Sequence, residues 1–376
     1  MTETTRITIK NISSKKDLKT FIKIPWSVYK NDKNWVPPLI SMEKERFDPE
    51  KGAYFKNAEV EFYIAYRDDR PVGRIAAHIN HTHNNFHKDK VGFFGFFECM
   101  PDYEAAEALF HAASGWLKDR GMDTIRGPMN YSTNDECGLL VDGFNVPPVV
   151  MMTYNPQYYE SFIKKFGFQK AKDLFAYFIN IDGMPERLDS AINRIKERRK
   201  FTIKKLRKKH FLEDVETVFE IYNNAWQYNW GFVPMTRDEM KYLAKELKDI
   251  IDFDLAYIVY IDEKPIAFSL TLPDVNQALI KLRNGRLLPF GWLKLLLSMK
   301  NINQVRVVTL GIVKNYKNIG IDTVLYYETI KESVRKGMPR GEMSWILEDN
   351  LRMCRPIERM GGKVYKTYRV YDKKLS

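Results

Sequence analysis

Residues 63–71 read YIAYRDDRP, and residues 257–265 read YIVYIDEKP. Tyr63, Tyr66, Asp68 and Pro71 recur as Tyr257, Tyr260, Asp262 and Pro265, all at one offset. In both stretches an aromatic and aliphatic run meets an acidic turn and a second run begins, which is the pattern of a β-hairpin. Further pairs lie on either side. Asn155 opens NPQYYESFIKKFGF and Asn350 opens NLRMCRPIERMGG, closed by Gly167 and Gly361. Upstream of the hairpins, Trp35-Val-Pro-Pro answers to Trp230-Gly-Phe-Val-Pro. Matches that keep their order and spacing mark a duplicated unit. A chain of 376 residues is also long enough for two domains.

The two halves predict the same succession of elements. A first strand (Arg6–Ile12, and Leu174–Ile181 where the copies join) leads through one or two helices to the hairpin. In the first half there follow a strand at Val91–Cys99, a helix at Glu104–Arg120, a strand at Thr124–Gly127, a helix at Pro156–Phe166 and a strand at Phe168–Ile179. In the second half the same series is Val305–Val313, Ile321–Lys336, Glu342–Leu347, Leu351–Met360 and Val364–Tyr371. Strands alternating with helices predict an α/β protein with mixed sheets covered on both faces. The expected domains are 1–180 and 211–376, joined by a basic segment at 181–210.

Composition narrows the function classes. A 44% hydrophobic fraction with 14% aromatics suffices for two packed cores. No apolar run approaches the roughly 18–20 residues that span a bilayer. The start, MTETTRITIKNISSKKDLK, lacks the apolar stretch of a signal peptide. Cys99, Cys137 and Cys354 are scattered and odd in number, which speaks against a disulfide framework and for a reducing cytoplasm. The net charge of +12 is concentrated: eleven Lys and Arg lie between Arg187 and His210 against Asp189 and Glu197. The rest is close to neutral, so a broad nucleic-acid-binding surface is not expected, whereas one basic stretch is.

The turn after the strand VRVVTLGIV carries the chemistry of an anion site. Lys314 and Lys317 supply positive charge, and Gly320 stands where a helix begins, its N-terminal N–H groups suited to a phosphate. Asp322 in the first helical turn opposes a bound anion, and a plain strand–helix turn with solvated lysines explains the same residues. This order of elements resembles the GNAT superfamily, acyl-CoA N-acyltransferases. Its pyrophosphate loop reads Arg or Gln, two residues, Gly, one residue, Gly or Ala. Lys317, Gly320 and Ile321 fall in that register, with Asp322 at the last small position. Asn350 and Gly361 keep the spacing of the family's last helix, with Ile357 at its usual tyrosine. In the first half GFFGFFEC runs into Met-Pro-Asp-Tyr-Glu without a glycine loop. The chain also resembles bacterial tandem-GNAT proteins that share PWxxY (Pro25 to Tyr29), GFFGFFE and NDECGLLVDGF, some of them associated with ceramide formation.

The resemblance implies two tandem GNAT-like domains, acyl-CoA as donor, an amine acceptor and no metal. It implies donor binding by Lys314, Lys317, Asn318, Gly320, Ile321 and Asn350, and a backbone N–H on a splayed fourth strand facing the thioester oxygen. A long-chain acyl group and a sphingoid base are the expected extension. Removal of the amine proton needs a base. Glu98, at the end of GFFGFFE, and Asn134, Asp135 and Glu136, just beyond the fifth strand, lie toward the carboxyl ends of strands, where ligands sit in α/β sheets. Tyr154, Tyr158 and Tyr159, around Asn155, are candidate donors to a leaving thiolate, with Tyr158 preferred, and packing in the core or at its rim is the plainer reading of all three. The plainer alternative is that Asn134 and Asp135 form a turn and Glu136 is solvated. Cys137 has no neighbouring His and reads as a buried hydrophobe. His78, His81, His83 and His87 lack the carboxylate or cysteine partners of a metal site, and Asn80, Asn84 and Asn85 among them read as a loop. Leu287–Leu297, with Trp292 and flanking Arg283, Arg286, Lys294 and Lys300, is either a core helix or an apolar patch for a lipid chain. The expected location is cytoplasmic, with peripheral contact at the inner membrane surface. Two rival functions remain open: a non-catalytic ligand-binding or scaffold protein, and an aminoacyl-tRNA-dependent transferase.

Overall fold

A computed structural model describes residues 6–181, 190, 192–195, 201–317 and 319–375. The chain forms two compact units. The first holds Met1–Leu174, Leu279–Leu296 and Lys366–Ser376, and the second Phe175–Ala278 and Leu297–Tyr365. Asn318 and much of the basic 181–210 segment lie outside the described residues.

In the first unit the strands are β1 (Ile7–Asn11), β2 (Ala58–Arg67), β3 (Arg70–Asn80), β4 (Val91–Cys99), β5 (Thr124–Gly127) and β6 (Leu139–Asp142), with the start of β7 (Gln169–Asn180). The C-terminal strand, β13 (Lys363–Lys374), ends here against β5 and β6. Strands β1 to β4 pair antiparallel in order, and β4 pairs parallel to β5. Helices α1 (Lys15–Val28) and α2 (Ile40–Arg46) cover one face over Phe21, Phe47, Phe62, Phe96 and Tyr131. After α3 (His81–His87), helices α4 (Tyr103–Asp119) and α5 (Tyr159–Lys165) cover the other over Phe94, Phe97, Phe110 and Ile163.

The second unit repeats the plan with β8 (Thr202–Lys205), β9 (Ala256–Ile261), β10 (Lys264–Pro273), β11 (Gln304–Ile312) and β12 (Arg340–Leu347). Helices α6 (Phe211–Ala225) and α7 (Arg237–Leu247) precede the hairpin, and α6 packs on Ile258 and Phe268 through Ile221. Short α8 (Asn276–Leu279) and α9 (Gly291–Met299) come between β10 and β11 in sequence, and of this stretch Leu279–Leu296 belongs to the first unit. Helix α10 (Ile321–Arg335) packs on Tyr257, Val259 and Ala267, and α11 (Leu351–Arg359) on Met343 and Ile346. Both expected hairpins form. Asp262 and Glu263 both have positive φ, the turn that matches strand twist.

Two expectations change. The second copy's first strand is not Leu174–Ile181, whose apolar run belongs to β7. It is Thr202–Lys205, which pairs with β9 as β1 pairs with β2. The histidine-rich stretch is helix α3 rather than a loop, because the Asn80 side chain caps it, accepting from the His83 N–H at 2.9 Å.

Both fourth strands carry a bulge. In β4, Arg74 faces Glu98 and Ala76 faces Gly95, so β4 advances three residues against two. In β11, Leu270 faces Thr309 and Thr271 faces Val307, leaving Val308 extra. Phe96 has φ +50° at the first bulge. Beside it, a Cβ on Gly95 would lie 1.8 Å from the Met129 carbonyl oxygen. Gly95→Ala must therefore push two backbones apart. We expect a loss of about 3 kcal/mol or more, read as a lowered unfolding midpoint in a denaturant titration.

Candidate active site

In the first unit, charged groups collect on the α1–α2 face of β4. Glu98 is half-buried, directly across from Arg74 on β3. The Tyr159 hydroxyl donates to its Oε2 at 2.9 Å and itself accepts from the Cys99 N–H at 2.6 Å. Desolvation pushes the Glu98 carboxyl up to about 7, against the opposing pull of Arg74 and the hydroxyls of Tyr29 and Tyr159. Arg74 is buried, donates to the Phe21 carbonyl at 3.0 Å and lies 4.8 Å from the Phe21 ring centroid. Glu43 is buried as well, and desolvation raises its pKa despite Arg46 and Arg74.

The other sequence-derived candidates are tied into local structure. Glu136 accepts from Arg46 at 3.3 Å and from the Asn130 amide at 3.2 Å. Asp135 accepts from the Ser132 hydroxyl at 2.9 Å, and the Asn134 N–H donates to that same hydroxyl at 3.0 Å. These two residues thus build a turn, whereas Glu136 is held by Arg46 and Asn130 rather than left to solvent. The Tyr158 hydroxyl donates to the Cys99 carbonyl at 2.7 Å, which fixes it to the end of β4. Cys137 is buried.

The first unit's own strand junction is closed. Beyond the β4–β5 pairing, Met129 N–H donates to the Phe94 carbonyl at 2.8 Å and the Phe96 N–H donates to Asn130 Oδ1 at 2.7 Å. The N-terminus of α4 is capped by Asp102, whose carboxylate accepts from the Ala105 N–H at 3.2 Å and twice from Arg67 at 2.7 Å. A carboxylate therefore stands where a phosphate would have to bind.

The second unit differs at both points. Strand β11 pairs with β12 only from Gln304–Val307 against Arg340–Met343, although β11 runs on to Ile312 and β12 to Leu347. The side chains of Val307 to Leu310 are half-buried. Helix α10 starts at Gly320 without a side-chain cap. Lys317 donates to the Ala225 carbonyl at 3.4 Å, and its pKa is lowered by desolvation and by the neighbouring charges of Arg352 and Lys314. Lys314 sits 4.6 Å from the Tyr228 ring centroid. Gly320 has φ +85°, and Ile195 Cδ1 lies 2.8 Å from where a Cβ would be, so an aliphatic side chain covers that α-carbon. Ile321 is buried in the α10 core, and Asn350 is the N-cap residue of α11.

Four residues beside this junction carry no signature in the motifs. Buried Arg306 donates through Nε to the Ser344 hydroxyl at 3.0 Å and through Nη2 to the Ser344 carbonyl at 3.1 Å. Ser344 and Tyr365 donate to the two oxygens of fully buried Glu342. The available signal was a charge inside an apolar strand, as with Arg306 in VRVVTL and Arg74 in PVGRIAA. Such charges are rarely buried unpaired.

Protein YghO of Escherichia coli is 35% identical over 375 residues, covering 98% of this chain and 95% of that protein. A bacterial ceramide synthase of Caulobacter vibrioides is 37% identical over 367 residues, covering 96% and 95%. A solved tandem GNAT protein from the clavulanic acid biosynthesis pathway superposes with a TM-score of 0.57 at 9% identity, covering 99% of both chains. The chain belongs to the same family as these two bacterial proteins and has the tandem GNAT fold. A GCN5-related N-acetyltransferase from Sphaerobacter thermophilus shares the fold at TM-score 0.52 and 10% identity, over 98% and 96% of the two chains. No protein-family model matches the sequence. Among the described residues, no group of three or more His, Cys, Asp or Glu could hold a metal ion. No described helix is long and apolar enough to cross a membrane.

Proposed function

We propose that this tandem GNAT protein moves an acyl group from acyl-CoA to an amine. One observation carries the donor side: in the second unit the parallel pair β11–β12 parts after Val307 and Met343, and β11 continues toward the uncapped α10. Beyond Val307, β11 stays paired to β10, and its N–H groups on the side that β12 has left are available to the thioester oxygen. Lys314, Lys317 and Arg352, with the α10 N-terminus, suit the CoA phosphates. For the base that takes the amine proton we propose Glu98, whose carboxyl is pushed up to about 7. The amine lone pair attacks the thioester carbonyl carbon, the C–N bond forms, the C–S bond breaks, and CoA leaves as the thiol once protonated. No acyl-enzyme is needed, and the three cysteines are buried.

For the substrate we propose a long-chain acyl group and a lipid amine of the sphingoid kind. The 37% identity to a protein named bacterial ceramide synthase supports this. Palmitoyl-CoA and sphinganine are the test pair, read by the mass of the amide and by released thiol. Isothermal titration with CoA and with a short acyl-CoA is independent of chain length. Failure of both to bind at millimolar concentration removes the acyltransferase reading, whereas binding without amide formation removes only the substrate assignment. A second reading assigns the proton to Glu342, because it is buried beside the β11–β12 junction. Equal turnover of Glu98→Gln and wild type, with loss in Glu342→Gln, would favour it.

A further inference from the structure

We infer that Leu288–Leu297 inserts into the interface of an anionic phospholipid bilayer. This goes beyond the acyl-transfer reading and does not depend on it. The sequence left a core helix as the alternative for this stretch. In the structure α9 has no buried residue. Leu288 is 77% and Phe290 76% exposed, and Trp292, Leu293, Leu296 and Leu297 are exposed too. These six make up half of the large hydrophobic side chains found exposed among the described residues. Leaving so much apolar surface contiguous in water is unfavourable, and such a patch marks an interaction site.

The projection is built rather than frayed. Its stem is fastened inside the first unit. Arg283 donates to the carbonyls of Trp35 at 2.8 Å and Asp32 at 2.6 Å. Trp26 Nε1 donates to the Arg283 carbonyl at 2.9 Å, and the Ile40 N–H to the Gly285 carbonyl at 2.9 Å. A Cβ on Gly285 would lie 2.5 Å from the Pro38 carbonyl oxygen, so the stem meets that backbone closely. At the tip, the Trp292 N–H donates to the Leu287 carbonyl at 2.8 Å and its Nε1 to the Pro289 carbonyl at 3.1 Å.

The charge decides the occupant. Lys281, Arg286 and Lys294, in the same segment as the apolar tip, are exposed. Between Asp274 and Asp322 the sequence has no Asp or Glu. An apolar tip in a segment whose charges are all cationic matches acyl chains beneath anionic headgroups. A second copy of the same surface would bring like-charged segments together, since a two-fold contact pairs a patch with itself. Nine helical residues rise only about 14 Å, which suits lying at an interface and not spanning it.

The test uses the 376-residue chain without CoA or acceptor, and vesicles of phosphatidylcholine alone or with about 30% phosphatidylglycerol. Wild type should sediment with the anionic vesicles at least about tenfold more strongly than with neutral ones, and salt should weaken it. Leu288→Glu with Phe290→Glu should lose that binding, and Lys294→Glu should lower it about tenfold. Both variants should keep wild-type circular dichroism and CoA affinity, because the altered side chains are exposed. Absent vesicle binding by wild type, or equal binding by the double variant, overturns the inference. So does a concentration-dependent dimer that the double variant abolishes. CoA titration of the same samples reports separately on the donor site, so failure there leaves this inference standing.

Discussion

Glu98→Gln is expected to lower turnover by about 10²–10⁴-fold and, at the same time, to stabilise the protein above neutral pH. Both effects have one cause. Desolvation holds the Glu98 carboxyl near 7 rather than at its ordinary 4.5. A base poised near the working pH is unprotonated often enough to act and still basic enough to take a proton. Wild-type kcat/KM should therefore rise with pH through about 7. The raised pKa also means that the folded state binds the proton more tightly than the unfolded chain. The stability contributed by this group is fully present below about 4.5 and is lost as pH rises through about 7. The full difference is worth up to about 3 kcal/mol, less in proportion to the water that reaches the half-buried side chain. Glutamine keeps an acceptor for Tyr159 and has nothing to titrate. Melting curves at pH 5 and pH 8 should show the variant's advantage only at the higher pH. If the advantage appears and turnover is unchanged, Glu98 is a strained structural acid and the base lies elsewhere.

The architecture was legible in the sequence because it is written in local periodicity. The two hairpins and the alternation of strand and helix after them needed no distant partner to be read. The first strand of the second copy was misread because Leu174–Ile181 has the apolar density of a central strand, whereas Thr202–Lys205 is short and polar, as an edge strand is allowed to be. Helix α3 escaped notice because its residues are poor helix formers and only the Asn80 cap signals its start. The acids of NDECG could be found as a polar island, but their function could not. Glu136 is held by Arg46, far away in sequence, and Glu98 owes its environment to Arg74, Tyr29 and Tyr159 from three other elements. Electrostatic partners of this sort are a product of the fold. The closed junction of the first unit is another: nothing in GFFGFFEC announces that Asn130 will fill the place where a strand could part.

Reversal of Lys317 to Glu is expected to weaken CoA binding about 10- to 100-fold, and Asp322→Asn to strengthen it. In the absence of ligand, Lys317 is disfavoured as a cation, by desolvation first and then by Arg352 and Lys314. A bound phosphate relieves that repulsion. Binding should then take up a fraction of a proton as the pH approaches the lysine range, and affinity should fall as pH rises there. It should also fall with ionic strength, since the lysine ends are partly in solvent. Asp322 works in the other sense. It places negative charge in the first turn of α10, where an anion would gain from the helix N-terminus, so its neutralisation should help. The pair of opposite shifts separates a phosphate site from general damage, which lowers affinity in both variants. Ile195 makes a further distinction, because its side chain meets Gly320. If phosphate must approach that α-carbon, Ile195→Ala should tighten CoA binding, and if the lysines and arginine hold the phosphates from the other side it should not. Unchanged dissociation constants in both Lys317→Glu and Asp322→Asn would remove the donor from this turn altogether. The parted strands of the second unit would then have to serve some other ligand.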